Sequence, residues 1–310
     1  MRLSYALNQS PLYKLHSRSR LAHLLKLDLR LLETCAANGG IYRRKETCTG
    51  GKRRHLCIPV GVLSTIQTRI GELLERIEKP AYVQSGVSGR SYLTNAKEHI
   101  GAVPVVKLDI KRFFPSINQA RIYRLFEHTL QCSRDVSGLL TKLCIVDGHV
   151  PIGSRVSQIL ALHVAMPMLD ELHRLAIDNE LRFSCYVDDL TWSGERATAS
   201  ILWKAKQIIH RHGFGYHGGK AYAHHQTKII TGVELRGAEI CVPAAKIRAF
   251  LSQMKAFAEL PHAQHAIEAH RLLSTAAALS QIDNRFAKYC RSLQAAHRAS
   301  LAEERVQAAE

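Results

Sequence analysis

The chain has 310 residues, 46% of them hydrophobic, with 43 Lys and Arg against 26 Asp and Glu and a formal net charge of +17. That length allows one large domain or two to three packed subdomains with a real core, and the excess of cations predicts a polyanionic partner, nucleic acid before an anionic membrane. No apolar run approaches the roughly 20 residues of a spanning helix, Met1 to Leu7 lacks a signal-peptide core, and the eight scattered cysteines include no Cys-x-x-Cys pair, so the expectation is a cytoplasmic protein, off the membrane and without a disulfide framework.

Residues 1–55 hold 12 Lys and Arg against 3 acids. Arg43-Arg44-Lys45 and Lys52-Arg53-Arg54 flank Gly50-Gly51, which predicts a loop or hairpin with basic arms; a solvated charged face is the plainer alternative. Cys48, His55 and Cys57 lie close in sequence, but their spacing fits no ordinary zinc pattern. Val62, Leu63, Ile66, Ile70, Leu73, Leu74 and Ile77 recur at three and four, which predicts an amphipathic helix over 62–78 that Pro80 ends. A glycine-bearing loop, 85–91, precedes a short helical stretch at Asn95–His99. Residues 103–110 predict a strand with Val106, Leu108 and Ile110 on one face and Lys107 and Asp109 on the other.

Residues 121–146 read as mostly helical, 150–154 as a turn, and 157–175 as a long helix with a kink at Pro167. Phe183-Ser184-Cys185-Tyr186-Val187 and Leu190-Thr191-Trp192 enclose Asp188-Asp189, which predicts strand, tight turn, strand with two acids at the bend. Two carboxylates with no basic neighbour repel each other, and a cation there would relieve the conflict. Paired Mg²⁺ ions held by such acids are the usual apparatus of nucleotidyl transfer. A polar turn, where Asp is common anyway, is the plain alternative. Beyond it, 199–212 predicts a helix, 213–225 a loop rich in Gly and His, 229–242 a short hairpin, and the Ala-rich remainder helices.

Taken in order, the motifs resemble the palm of a reverse transcriptase, specifically the bacterial retron and defence-associated group. Gly89-Arg90-Ser91 with Asn95-Ala96-x-x-His99 is similar to the retron Asn-Ala-x-x-His element. The first catalytic motif resembles Leu108–Ile117, here Leu-Asp-Ile-Lys-Arg-Phe-Phe-Pro-Ser-Ile, and the second Tyr186-Val187-Asp188-Asp189. Ser10–Leu15 and Ile41-Tyr42-Arg43 resemble that group's N-terminal segment, and Ile230-Thr231-Gly232-Val233 its Val-Thr-Gly element. A lone Tyr-x-Asp-Asp is a weak signal; the ordered set is strong.

The resemblance implies an α+β right-hand polymerase fold, with fingers at 1–100 and 125–158, a palm with an antiparallel sheet at 101–124 and 159–242, and a short helical thumb at 243–310. It implies an RNA-directed DNA polymerase that copies a cognate structured noncoding RNA into small single-stranded DNA, in antiphage defence. Two Mg²⁺ ions, or Mn²⁺ in their place, would be held by Asp109 and Asp188 with Asp189 in support. Phe114, five residues after Asp109, takes the place of the sugar-selecting aromatic, with a core ring as the plainer alternative. Arg90, one of Lys52, Arg53 or Arg54, and Lys220 are implied ligands of the dNTP, as are Ile152 and Gly153 of the turn. Arg53, Arg54, Asn95, His99, Arg155, Thr231 and Gly232 are implied on the RNA side.

Two departures from the family pattern matter. The turn reads Pro151-Ile152-Gly153-Ser154-Arg155, so Ile152 replaces an amide that usually faces the nucleotide. Lys220 follows His217-Gly218-Gly219 rather than Asn-Pro-x. These keep open a non-retron polymerase with protein-primed, repetitive or untemplated synthesis. A non-catalytic RNA-binding scaffold is the alternative of a different class. The tail 243–310, with 9 Lys and Arg and 6 acids, leaves little room for another enzyme, so any effector is expected as a separate chain.

Overall fold

The computed structural model describes residues 4–49, 52–101, 103–260 and 265–307. The chain forms two compact units, one of Met1–Gly89 with Val106–Ala221 and one of Arg90–Val105 with Tyr222–Glu310. Both mix helices with antiparallel strands, an α+β fold as expected. Among the described residues no helix is long and apolar enough to cross a membrane.

The first unit begins with α1 (Arg18–Leu25) and α2 (Leu29–Ala37), whose first amides are capped by Ser17 and Asp28. The basic segment is indeed a hairpin, β1 (Tyr42–Thr49) against β2 (Lys52–Pro59), in register from Tyr42↔Pro59 to Thr49↔Lys52. Gly50 and Gly51, between its arms, lie outside the described residues, as does the side chain of Lys52. Helix α3 (Gly61–Glu75) buries Leu63, Ile66, Ile70 and Leu74, the stripe its spacing predicted.

That stripe packs on α8 (Arg155–Ile177), the longest helix of this unit, which Ser154 caps. Pro167 sits inside α8 at an exposed position. His163 of α8 is buried, with Nε2 3.2 Å from the Leu74 carbonyl of α3. Burial pushes its imidazole down to about 4, so it stays neutral and ties the two helices without a charge.

The sheet of this unit runs β4-β5-β3-β6, and β7 also pairs with β3. Strand β3 (Val105–Lys111) is central; Val106, Leu108 and Ile110 are buried, while Lys107 and Asp109 on the other face are half-buried. β4 (Arg182–Tyr186) and β5 (Asp189–Ser193) form the expected hairpin, closing at Tyr186↔Asp189. It is anchored by an aromatic cluster, with Phe183 4.9 Å from Trp192 and 5.3 Å from Tyr82 between ring centroids. The Tyr82 hydroxyl donates to Asp170 at 2.6 Å.

Between β3 and α8 run α5 (Phe113–Ser116), α6 (Gln119–Arg124), a π-helical turn and α7 (Arg134–Cys144). After β5 comes α9 (Ala199–Arg211). The Gly- and His-rich stretch that reads as a loop is not one throughout. It contains β6 (Gly215–Tyr216) and β7 (Lys220–Tyr222). These two short strands pair with the side of β3 away from β5, and Gly219 permits close approach: a Cβ there would lie 3.0 Å from the Lys107 carbonyl oxygen.

The second unit contains α4 (Tyr92–Lys97), opened by a Ser91–Thr94 capping box, and β8 (Lys228–Ile230), β9 (Val233–Arg236) and β10 (Glu239–Cys241). The expected single hairpin is thus a three-stranded meander. Its first turn, Thr231-Gly232, has φ of 44° and 76°, the primed-turn pattern that favours Gly at the second position. Helices α10 (Ala244–Ala258), α11 (His265–Ser280) and α12 (Ala287–Gln307) share a small core of Phe250, Leu272, Leu279, Phe286 and Leu293.

Candidate active site

Three elements of the first unit bring the acids together. β3 carries Asp109 on its less buried face. The β4–β5 turn carries Asp188, and β5 opens on Asp189. The Ile110 amide donates to the Asp188 carbonyl at 3.0 Å, which locks the turn to β3. Val187, the first turn residue, has φ of 60°, a backbone region that a β-branched side chain seldom enters. The Ser85 hydroxyl holds it there, accepting from the Val187 amide at 3.0 Å. Ser85 in turn follows a segment that pairs with the outer edge of β4: the Gln84 amide donates to the Cys185 carbonyl at 2.8 Å.

Asp188 sits in the least favourable place for a charge. Burial first, then the charges of Asp109 and Asp189, push its carboxyl up to about 6; Arg54 acts in the opposite direction. On the hairpin, the charge of Arg54 is felt at Asp188. Arg53 instead lies 3.6 Å from Glu46.

The expectation of acids with no basic neighbour is corrected here. Lys107 Nζ lies 3.7 Å from Asp189 Oδ1, and His217 Nε2 3.8 Å from Asp109 Oδ1. Neither is near its partner along the local sequence at the hairpin; the sheet brings them there. His217 is fixed by its amide, which donates to the Asp109 carbonyl at 2.8 Å.

The donor chemistry suits a hard divalent cation, because all three acids offer oxygen. The trio is gathered but not closed. Among the described residues no three His, Cys, Asp or Glu side chains converge to hold an ion.

On α5, Phe113 is buried and Phe114 half-buried, with ring centroids 5.7 Å apart. The Ile152 carbonyl accepts from the Cys57 amide at 2.7 Å, pinning the 151–154 turn to β2. Gly153 has φ of 111°, and a Cβ there would lie 3.3 Å from Ile58, so two constraints favour glycine. Arg155 is exposed and, with Lys79, Gln158, Phe113 and Val187, lines a small recess. Lys220 is exposed at the start of β7.

Arg90, Asn95, His99, Thr231 and Gly232 belong to the second unit. Arg90 is half-buried. Asn95 and His99 have no exposed surface, so neither side chain is open to a ligand in this conformation. Asn95 Nδ2 lies 3.4 Å from Thr231 Oγ1, which donates to the Tyr92 carbonyl at 2.8 Å. The pair ties α4 to the β8–β9 turn. The Gly232 carbonyl accepts from Lys246 Nζ at 2.8 Å.

Sequence reasoning named neither Ser85, Lys107 nor His217 as part of the site. The alternation of β3 was the one signal for Lys107, since it put that residue on the face of Asp109.

No family profile matches the chain. Several curated relatives do, among them three retron reverse transcriptases. The retron Se72 reverse transcriptase of Salmonella heidelberg (strain 579083-10) is 32% identical over 54% of this chain and 44% of its own length. The retron Ec86 reverse transcriptase of Escherichia coli is 27% identical over 58% and 57%. The retron Mx162 reverse transcriptase of Myxococcus xanthus is 26% identical over 66% and 49%. The chain spans about half the length of these relatives. Among solved structures, telomerase from Candida albicans, in complex with a fragment of telomeric RNA, aligns at TM-score 0.48 and 10% identity over 84% of this chain and 60% of that one. The sequence is thus similar to retron reverse transcriptases over half to two thirds of its length.

Proposed function

We propose that the protein is a retron-type RNA-directed DNA polymerase that copies part of a structured noncoding RNA into a small single-stranded DNA. The observation that carries this reading is the meeting of Asp109, Asp188 and Asp189 on adjoining strands. The similarity to three retron reverse transcriptases supports it. In this reading the first unit supplies the palm and basic fingers, and the helices of 243–310 act as the thumb on the duplex.

Asp109 and Asp188 would hold two Mg²⁺ ions, with Mn²⁺ as a substitute and Asp189 as support. Bound there, the ions would lower the pKa of the primer hydroxyl and offset charge on the triphosphate. The chain's own groups do the rest. Arg54, already felt at Asp188, and Lys220 would bind phosphate oxygens. The Phe114 ring would press on the sugar and disfavour a 2′-hydroxyl. The Ile152-Gly153 turn, held on β2, would offer the base an apolar contact, and Arg155 would meet template backbone. The primer oxygen then bonds to the α-phosphorus as the bond to pyrophosphate breaks. A role in antiphage defence, with a separate effector chain, is part of the proposal.

The test is DNA synthesis by purified protein with the RNA encoded beside its gene, dNTPs and Mg²⁺. Wild type should make a DNA that sequencing maps to that RNA, and Asp188→Ala should make none. Equal output from both proteins would sink the assignment. Untemplated or concatemeric product would transfer it to a non-retron polymerase, and no product alongside tight RNA binding would favour a scaffold.

A further inference from the structure

Helix α9 leaves Trp203 with 63% of its surface exposed, although the same helix buries Ile201, Ala205, Ile208 and Ile209. An indole left in water forgoes one of the larger burial gains that any side chain offers. Its neighbours at helical spacing, Ala199, Ser200, Gln207 and His210, are exposed as well. The indole therefore stands in the middle of the solvent face, opposite the buried stripe. Lys204 and Lys206 flank it on either side around the helix axis, and α9 itself contains no acid. Among the described residues no carboxylate pairs with either lysine. Lys206 Nζ instead sits 5.5 Å from the ring centroid of Tyr216 on β6. Arg211, at the end of the helix, differs in being paired with Glu171 of α8.

We propose that this face of α9 docks an unpaired segment of RNA, with Trp203 stacking on a base and Lys204 and Lys206 meeting the phosphates beside it. The inference rests on the reading of the protein as an RNA-copying polymerase, and it adds a contact on a helix that carries none of the three acids. Charge complementarity selects the occupant. Two unmatched cations around a flat ring make a single-strand platform, in which the ring takes the base and the cations take the backbone. A protein partner needs contiguous apolar surface, and the residues around Trp203 are polar, cationic or a single methyl. A helix lying in a membrane interface turns its apolar face outward, and that of α9 is buried. Paired RNA keeps its bases in the stack, so a loop, bulge or free end is what offers a base to the indole.

The chain has two tryptophans, and Trp192 is fully buried, so indole emission open to an aqueous quencher reports Trp203. The experiment titrates the full chain with a labelled single-stranded RNA of about ten nucleotides, reading RNA anisotropy for affinity and indole fluorescence for the contact. On binding, wild type should lose much of its exposed emission and become shielded from acrylamide. Trp203→Ala should bind roughly five- to a hundredfold more weakly, and Trp203→Tyr, which keeps a ring, should recover most of that loss. Lys204→Gln combined with Lys206→Gln should weaken binding and flatten its log–log salt slope by about 1.4, the share of two single-strand phosphates. Indole emission that ignores RNA binding, or a Trp203→Ala affinity equal to wild type, overturns the docking surface and leaves the polymerase reading intact. Self-association of the RNA-free protein that Trp203→Ala abolishes, seen by sedimentation equilibrium, would give the face to a second copy instead. If wild type binds no RNA at all, this inference and the polymerase reading fall together.

Discussion

At Asp188, burial and the charges of Asp109 and Asp189 hold the carboxyl up at about 6. Between its ordinary range and that value the folded, metal-free protein keeps a proton that the unfolded chain releases. Stability therefore falls as pH rises through this window, and the penalty is complete above about 6. Asp188→Asn should melt several degrees higher than wild type in metal-free buffer near pH 8, with the gap closing toward pH 4. Mg²⁺ should raise the melting temperature of wild type and not of the variant. Scanning calorimetry checks both, and a gap that ignores pH would rule out burial and repulsion as its cause. Phe114 carries a separate expectation. Phe114→Ala should relax discrimination against ribonucleotides by at least about tenfold, measured as the ratio of kcat/KM for dNTP and rNTP. An unchanged ratio would make Phe114 a core ring like Phe113.

Among the elements, α3 and α8 are joined by the neutral His163, held down at about 4 by burial. Below its ordinary value the unfolded chain takes up a proton that the folded helix pair refuses. Stability contributed by neutrality is present above about 6.5 and is lost as pH falls toward 4, by up to about 3 kcal/mol. This slope opposes that of Asp188. Urea unfolding across pH should show His163→Leu with a shallower acid-side decline than wild type; parallel curves would contradict the buried neutral state. The 151–154 turn gives an element-scale test of the site. Gly153→Ala must hold φ near 111° and press a methyl against Ile58, so it should lose about 1–3 kcal/mol. Stability equal to wild type would show that the turn is not fixed on β2 as described.

For the whole molecule, the net charge of +17 governs partner choice more than fold. Binding of structured RNA should weaken steeply with salt, by roughly a thousandfold between 50 and 200 mM if about six phosphates are contacted. Filter binding over that range is the check, and a flat response would remove electrostatics as the main attraction. Charge alone did not distinguish a polymerase from a scaffold. The proposal of a polymerase over a scaffold rests on where three acids sit on one sheet.

Much of the architecture was readable because it repeats locally. The buried stripe of α3, the alternation of β3 and the strand-turn-strand at Asp188-Asp189 each follow from the spacing of neighbouring residues, and the structure reproduces them. The stretch 213–225 was misread because Gly and His carry no strand pattern; β6 and β7 form where β3 offers an edge. The sequence by itself determined which acids and cations the chain owns, and in what order. Only the tertiary structure decided that Ser85 holds the strained Val187, that Lys107 answers Asp189, that His217 stands beside Asp109, and that Asn95 and His99 are enclosed. Periodicity reports which face a side chain takes, but not which distant strand will lie opposite, and charge neutralisation acts across that gap.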